Sequence, residues 1–272
     1  MRKKMKNHCK NLAICAGERY NESYKRYGKI EKKLQEGLGK TAVIGEKKNE
    51  TESYHIYRSF GSGKTELSIR EAVESAKHQS TVLADLDIIN TYFRSNEERI
   101  YMEERGVKVL APRFATSQVD IPALTPELDG AFRRNDIRLI ADVGGDPDGA
   151  RVLRRYGRFL QPGEYDMVLV VNLMRPFTRS AGEIVDMARE IEEASGLKIT
   201  AMINNTHLKE ETTKEMVWKG QLEVMEAARQ LGIETPVITC ARAEYMPEEA
   251  DPMKSIVLKP MLREPWELSE EV

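Results

Sequence analysis

The chain has 272 residues, of which 40% are hydrophobic and 32% are charged, and its formal net charge is −2. These values are typical of a soluble protein with a substantial core, and they exclude an overall bias toward nucleic acid or anionic membranes. Residues 1–50 are uneven in charge, with 14 Lys or Arg against 6 Asp or Glu. We interpret them as a solvated basic extension rather than as a contact with nucleic acid, lipid or an acidic partner, and residues 51–272 as one folded domain.

The cysteines and the apolar runs predict where the protein resides. Cys9, Cys15 and Cys240 are odd in number and lack the spacing of metal ligands, which fits a reducing compartment. The apolar stretch near the N-terminus is too short for a signal peptide, and no run approaches the length of a membrane span. We therefore expect a cytoplasmic protein without a transmembrane segment, and no clear nucleic-acid site is visible.

Short apolar strands alternate with helices from residue 53 onward, and residues 112–126, which contain three prolines, indicate a loop. The predicted strands are 53–57, 80–84, 107–110, 137–141, 167–171, 199–203 and 236–239. The predicted helices are 66–76, 97–105, 126–134, 149–159, 178–195, which is closed by Gly196, and 210–231, which is interrupted near Gly220. This alternation predicts a three-layer α/β fold in which a mostly parallel sheet carries helices on both faces.

A glycine-rich turn connects the first strand to the first helix and is typical of a phosphate-binding loop. The turn consists of Gly61, Ser62, Gly63, Lys64, Thr65 and Glu66. Its glycines let backbone N–H groups point inward, and the helix that follows attracts anions at its N-terminus. In such a loop the lysine reaches the β- and γ-phosphates and the threonine hydroxyl binds Mg²⁺.

Two features qualify this motif. The full pattern has glycine six residues before the lysine, where this chain has Arg58, and a surface Gly-Ser turn with an exposed lysine is the alternative. A second Gly-Lys-Thr, at residues 39–41, is followed by a strand-like sequence rather than a helix. We therefore consider it a chance match.

Polar residues follow the predicted strands, where ligands bind in open α/β sheets. Asp142, which precedes Gly144 and Gly145, fits a carboxylate that holds Mg²⁺, with an Asp-Gly turn as the alternative. Asp85 and Asp87 share a face of an extended chain and either serve the metal or cap a helix. Asn204 and Asn205 follow a later strand in the same way.

Three further segments are open to two interpretations. Residues 90–94 fit either a switch segment with Arg94 at phosphate or the start of a helix. Arg175 lies on the ligand edge, and Thr178 fits an N-cap of the next helix. His207 stands near the same edge, although a lone histidine is more often structural than functional. Cys240 is expected to be buried.

These motifs together resemble the ParA–MinD and cobyrinic-acid-synthase branch of P-loop NTPases over about residues 54–240. The resemblance implies that Asp87 positions the attacking water, that Asp85 and Asp142 serve the magnesium shell, and that Asn204, or alternatively Asn205, contacts adenine. Ser59 stands where ParA and MinD proteins carry a second lysine that reaches across a dimer. A nucleotide-dependent homodimer is therefore left open.

The expected function is a switch that depends on ATP and Mg²⁺. Lys64 and Asp87 are the expected catalytic residues, and hydrolysis is expected to be slow and coupled to a protein partner. An ATP-dependent small-molecule kinase or ligase and a non-hydrolysing scaffold are the alternatives.

Overall fold

The structure, a computed structural model, describes residues 54–58, 62–86, 96–110, 126–144 and 147–258. The strands are β1 (Tyr54–Arg58), β2 (Thr81–Leu86), β3 (Val107–Leu110), β4 (Arg138–Val143), β5 (Tyr165–Val171), β6 (Ala201–Asn204), β7 (Ile238–Arg242) and β8 (Ser255–Leu258). The α-helices are α1 (Lys64–Ala76), α2 (Asn96–Glu103), α3 (Pro126–Ala131), α4 (Pro147–Tyr156), α5 (Ala181–Ser195) and α6 (Lys214–Leu231). The predicted domain boundary at residue 50 and the second Gly-Lys-Thr lie outside the described residues and stay predictions.

The strands form one sheet in the order β3-β2-β4-β1-β5-β6-β7-β8, and each pair of neighbours is parallel. Strand β1 lies in the interior of this sheet, between β4 and β5. Because all the strands run in one direction, their carboxyl ends meet at the same edge, and the segment after β1 begins in the middle of it.

The helices cover both faces of the sheet, so the predicted three-layer α/β fold is confirmed. On one face, α1 and α2 contribute Leu67, Ile69 and Met102 to a core that includes Ile140 and Val168. On the other face, side chains of α3, α4, α5 and α6 pack against alternate residues of β2, β4, β5 and β6. Among the described residues, none of the helices combines the length and the apolar character that a membrane-spanning segment requires.

Several predicted boundaries were wrong at the carboxyl ends of strands. Strands β2, β4 and β6 continue to Leu86, Val143 and Asn204, because parallel pairing persists beyond the apolar run. Asp85, Asp142 and Asn204 therefore lie within strands rather than after them. Strand β8 was not predicted, since it is a four-residue strand with partly exposed side chains and gives little periodic signal.

The predicted interruption of the last helix near Gly220 was also wrong, because α6 is continuous from Lys214 to Leu231. A Cβ atom at Gly220 would overlap the Thr206 side chain and lie 2.6 Å from Oδ1 of Asn204. Glycine is therefore needed there for close packing against the end of β6, and it does not break the helix.

Helix α5 begins three residues later than predicted, although its end at Gly196 is confirmed. Ser180 has an extended backbone, and its side chain accepts a hydrogen bond from the Glu183 N–H, which makes it the N-cap. Thr178 does not cap the helix. Its hydroxyl instead donates to the carbonyl oxygens of Asn172 and Arg175.

Candidate functional site

The turn between β1 and α1 lies at the centre of the carboxyl edge of the sheet. Arg58 is the last residue of β1 and pairs with Val143 on one side and Leu169 on the other. Its backbone is therefore part of a regular parallel strand, a conformation that does not require glycine. Gly61 lies outside the described residues, whereas Ser62 and Gly63 are described.

Helix α1 starts directly from this turn. Gly63, the residue before the helix, has φ of 81°, a left-handed conformation that favours glycine. Within the described residues, α1 starts without a side-chain cap, whereas α5 and α6 are capped by Ser180 and Thr213. Residues 63–66 form the N-terminus of α1, so their N–H groups present the positive end of the helix at the sheet edge, and Glu66 lies in this first turn.

Lys64, Thr65 and Asp142 meet at the start of α1. The Thr65 hydroxyl donates a hydrogen bond of 2.7 Å to Oδ2 of Asp142. The Lys64 ammonium lies 3.6 Å from Oδ1 of the same carboxylate, and both of these side chains are about 94% buried, with 6% exposed. A lysine and an aspartate this deeply buried stabilise each other's charge, and the carboxylate joins β4 to the first turn of the helix.

Asp85 is held close to this group by the register of the sheet. It pairs with Asp142 across the parallel β2–β4 ladder, and side chains paired in this way lie on the same face. Leu83 and Ile140, two residues earlier on the same strands, both belong to the core under α1. Because side chains two residues apart in a strand share a face, Asp85 lies on the α1 face, one strand away from Asp142. Asp85 is half-buried. Asp87 lies outside the described residues.

Asn204 and Asn205 lie on opposite faces of the sheet. The Asn204 amide donates to the Val217 carbonyl across 2.9 Å and accepts from both the backbone and the hydroxyl of Thr206, and the residue has no exposed surface. In this conformation it holds β6 to α6 and presents no atom at the sheet edge. The Asn205 amide instead donates to the Ser62 carbonyl across 2.6 Å.

Asn172 is a residue of this edge that the sequence analysis did not identify. It directly follows β5 and is 2% exposed. Its amide nitrogen donates to the His207 carbonyl at 3.1 Å, and its amide oxygen accepts from the His207 and Met174 N–H groups at 3.2 and 3.0 Å. The rule that ligand-edge residues follow strands would have identified it.

His207 lies beside the glycine turn, with Nε2 4.0 Å from where a Cβ atom of Gly63 would stand. Burial lowers the pKa of His207, and the nearby cations Arg175, Arg242 and Lys209 lower it further. The imidazole is therefore neutral near pH 7. Arg175 is exposed at this edge, while residues 90–94 lie outside the described residues.

Cys240 belongs to the buried core beneath α1, as expected. Burial raises the pKa of its thiol well above the ordinary value, so the reactive thiolate is not formed near neutral pH.

The pair formed by Thr65 and Asp142 fits a magnesium ion. Hydroxyl and carboxylate oxygens are the ligands that this ion prefers. Neighbouring ligands of an octahedral Mg²⁺ stand about 3 Å apart, and the two oxygens are separated by 2.7 Å. Mg²⁺ is usually held by one or two protein side chains together with phosphate oxygens.

No protein-family model matches the chain, and no curated protein matches it. Among solved structures, it is similar to chloroplast FtsY from Physcomitrella patens, with 19% identity over 72% of this chain and 61% of that chain and a TM-score of 0.46. It is also similar to FtsY from Thermotoga maritima, with 21% identity over 74% of this chain and 65% of that chain and a TM-score of 0.45. A third similar structure is that of FlhF complexed with GTP and Mg²⁺, with 15% identity over 74% of this chain and 69% of that chain and a TM-score of 0.42.

These likenesses are distant. The chain spans less than two thirds of the length of both FtsY proteins. With identities below 25% and TM-scores below 0.5, they transfer no activity, substrate or partner to this chain, and they do not support the ParA–MinD branch specifically.

Proposed function

We propose that this chain binds a nucleoside triphosphate with Mg²⁺ at residues 61–66, hydrolyses it slowly and uses the bound state as a switch on a protein partner. One observation carries the proposal. Lys64 and Asp142 are buried together beside the Thr65 hydroxyl at the uncapped start of α1, in the middle of the carboxyl edge of a parallel sheet. A lysine, a hydroxyl and a carboxylate in this arrangement match the needs of a triphosphate and its metal.

Each residue has a distinct role in this proposal. The backbone N–H groups of residues 63–66 would bind phosphate oxygens, and the Lys64 ammonium would exchange its contact with Asp142 for the β- and γ-phosphates. Thr65 and Asp142 would hold Mg²⁺, with Asp85 near enough to join its hydration shell. The metal, when bound, neutralises charge on the phosphates. Asp87 would orient the attacking water.

ATP is the proposed nucleotide, and the ParA–MinD and cobyrinic-acid-synthase branch of P-loop NTPases is the proposed family. Both rest on the order of motifs along the sequence rather than on the distant structural likenesses. Asn204 is not placed in the proposed base site, because its amide nitrogen donates to the Val217 carbonyl of α6 and its amide oxygen accepts from the Thr206 hydroxyl. The base would lie among the loops that follow β5, β6 and β7.

Calorimetric titration of the full chain with ATP and with GTP, each in MgCl₂ and in EDTA, tests the proposal. We expect ATP to bind more tightly than GTP, Mg²⁺ to strengthen binding, and phosphate release to proceed well below about one per second. Tighter binding of GTP than of ATP would support a triphosphate site at residues 61–66 but would contradict the proposal that the nucleotide is ATP. Binding of neither nucleotide would overturn the function, and turnover that depends on a small acid or amine would indicate a kinase or ligase.

A further inference from the structure

We propose that Asn205 is a positioning residue that fixes the shape of the phosphate-binding turn and does not contact the base. The proposal rests on the function proposed above and assigns one residue of that site. Two independent features carry it, namely the hydrogen bond from Asn205 to Ser62 and the space that its amide occupies against Gly63.

The hydrogen bond connects two segments that are 143 positions apart in sequence. Nδ2 of Asn205 lies 2.6 Å from the carbonyl oxygen of Ser62, in a buried environment. Ser62 has no exposed surface and Asn205 is 3% exposed. The bond is therefore shielded from water, and a hydrogen bond in such an environment is stronger than one at the surface.

This bond sets the direction of the next N–H group in the turn. The Ser62 carbonyl and the Gly63 N–H belong to one planar trans peptide, in which the two groups point in opposite directions. Because the carbonyl points at Asn205, the Gly63 N–H points away from Asn205. A rotated Ser62–Gly63 peptide would direct a carbonyl oxygen where the N–H now points, and that oxygen would repel an anion.

The Asn205 amide also restricts the backbone by its volume. A Cβ atom at Gly63 would stand 2.5 Å from Nδ2 of Asn205, so the amide packs directly against the glycine that precedes α1. Gly63 needs its left-handed φ of 81° to enter the helix, and the neighbouring amide leaves it little room to adopt another conformation. One side chain therefore limits both the orientation of the peptide and the movement of the glycine.

The support of Asn205 is rigid, as positioning requires. Its own N–H donates to the Val171 carbonyl across 2.8 Å, which continues the pairing of β5 with β6. Two residues later, the N–H and carbonyl of His207 are both bonded to the Asn172 side chain. The backbone that carries the Asn205 side chain is therefore held at residues 205 and 207, and this support fixes the position of the amide against the turn.

Asn205→Ala, studied in the full chain, tests the role with three ligands in the presence of Mg²⁺: inorganic tripolyphosphate, ATP and GTP. Tripolyphosphate has no base, so it reports on the turn alone. We expect Asn205→Ala to weaken all three by a similar factor of roughly ten, the equivalent of about one buried hydrogen bond. The ratio of ATP to GTP affinity should not change. Asn135→Ala, at an exposed position on the opposite edge of the sheet, is the matched control.

The other outcomes are distinguishable. Unchanged tripolyphosphate affinity with a shifted ATP to GTP ratio would make Asn205 a base ligand and overturn the proposal, as would no change for any ligand. Asn205→Ser, whose hydroxyl is too short to reach Ser62, provides a second variant should the alanine variant not fold. If the parent chain binds none of the three ligands, or if Lys64→Ala binds them as tightly as the parent does, the proposed function fails instead.

Discussion

The hydroxyl of Thr65 donates a 2.7 Å hydrogen bond to Oδ2 of Asp142, a residue 77 positions later in the chain. This contact ties the first turn of α1 to the end of β4. It brings together two oxygen atoms of the kind that bind Mg²⁺. The buried Lys64 ammonium lies 3.6 Å from Oδ1, the other oxygen of the same carboxylate.

The first prediction concerns the metal. Thr65→Val keeps the shape of the side chain and removes the hydroxyl, so Mg²⁺ would lose one of its two protein ligands. We expect the ratio of ATP affinity in MgCl₂ to that in EDTA to fall by about tenfold, with little change in EDTA itself. Ser75→Ala removes a hydroxyl from the far end of the same helix and should leave the ratio unchanged. An unaltered ratio in Thr65→Val would remove this residue from the metal site.

A second prediction separates backbone strain from steric overlap at Gly63. Gly63 and Gly232 both have positive φ, 81° and 71°, but a Cβ atom at Gly232 would meet no atom within 4 Å. Gly232→Ala should therefore lower the free energy of unfolding by about 1 kcal/mol, and Gly63→Ala by at least roughly 1 kcal/mol more because of overlap with Asn205. Urea denaturation measures both. Equal losses would show that the Asn205 amide does not restrict the turn.

A third prediction concerns Asp87, whose proposed role is to orient water. Asp87→Ala should leave ATP affinity within about twofold and slow phosphate release by at least about a hundredfold, as expected for loss of a positioned general base. Binding and single-turnover hydrolysis should be measured on the same preparation. Asp136→Ala, an exposed position at the opposite sheet edge, serves as the control. Hydrolysis at the parental rate would exclude Asp87 from catalysis.

A fourth prediction follows from the lowered pKa of His207. Below the ordinary value near 6.5, the unfolded chain gains a proton at this residue before the folded chain does. This component of stability is therefore complete above about pH 6.5 and is lost as the pH falls from there toward the lowered pKa of the folded state.

His207→Gln should remove that component, so its free energy of unfolding should fall less than that of the parent between pH 7.5 and pH 5.5. Urea unfolding curves at the two pH values test it. If the free energy of unfolding fell by the same amount in the parent and in His207→Gln, this would contradict the proposed contribution of His207 to stability.

The sequence predicted the architecture well, because apolar strands that alternate with helices leave few options besides a parallel sheet with two covered faces. The glycine turn, Lys64, Thr65 and Asp142 could also be identified, since each follows a strand or begins a helix. Asn204 and Asn205 could have been separated by strand alternation. Ile203 packs under α1, so Asn204 must lie on the other face and Asn205 back toward the turn.

Other features of the structure could not be predicted from the local sequence pattern. The bonds between Asn172 and His207 join residues 35 positions apart, and no spacing rule predicts that one amide will satisfy both backbone groups of a distant loop. Gly220 gave the wrong signal, because a glycine that permits close packing cannot be distinguished from one that breaks a helix until the neighbouring loop is known.

The most direct measurement of the central claim compares Lys64→Ala with Lys77→Ala for binding of ATP with Mg²⁺. The two lysines lie at opposite ends of α1, the first buried against Asp142 and the second exposed beside Glu74. Loss of two charge-assisted bonds of roughly 1.5 kcal/mol each should weaken binding about a hundredfold in Lys64→Ala and leave Lys77→Ala within twofold of the parent. Parental affinity in a folded Lys64→Ala protein would show that this helix start does not bind triphosphate.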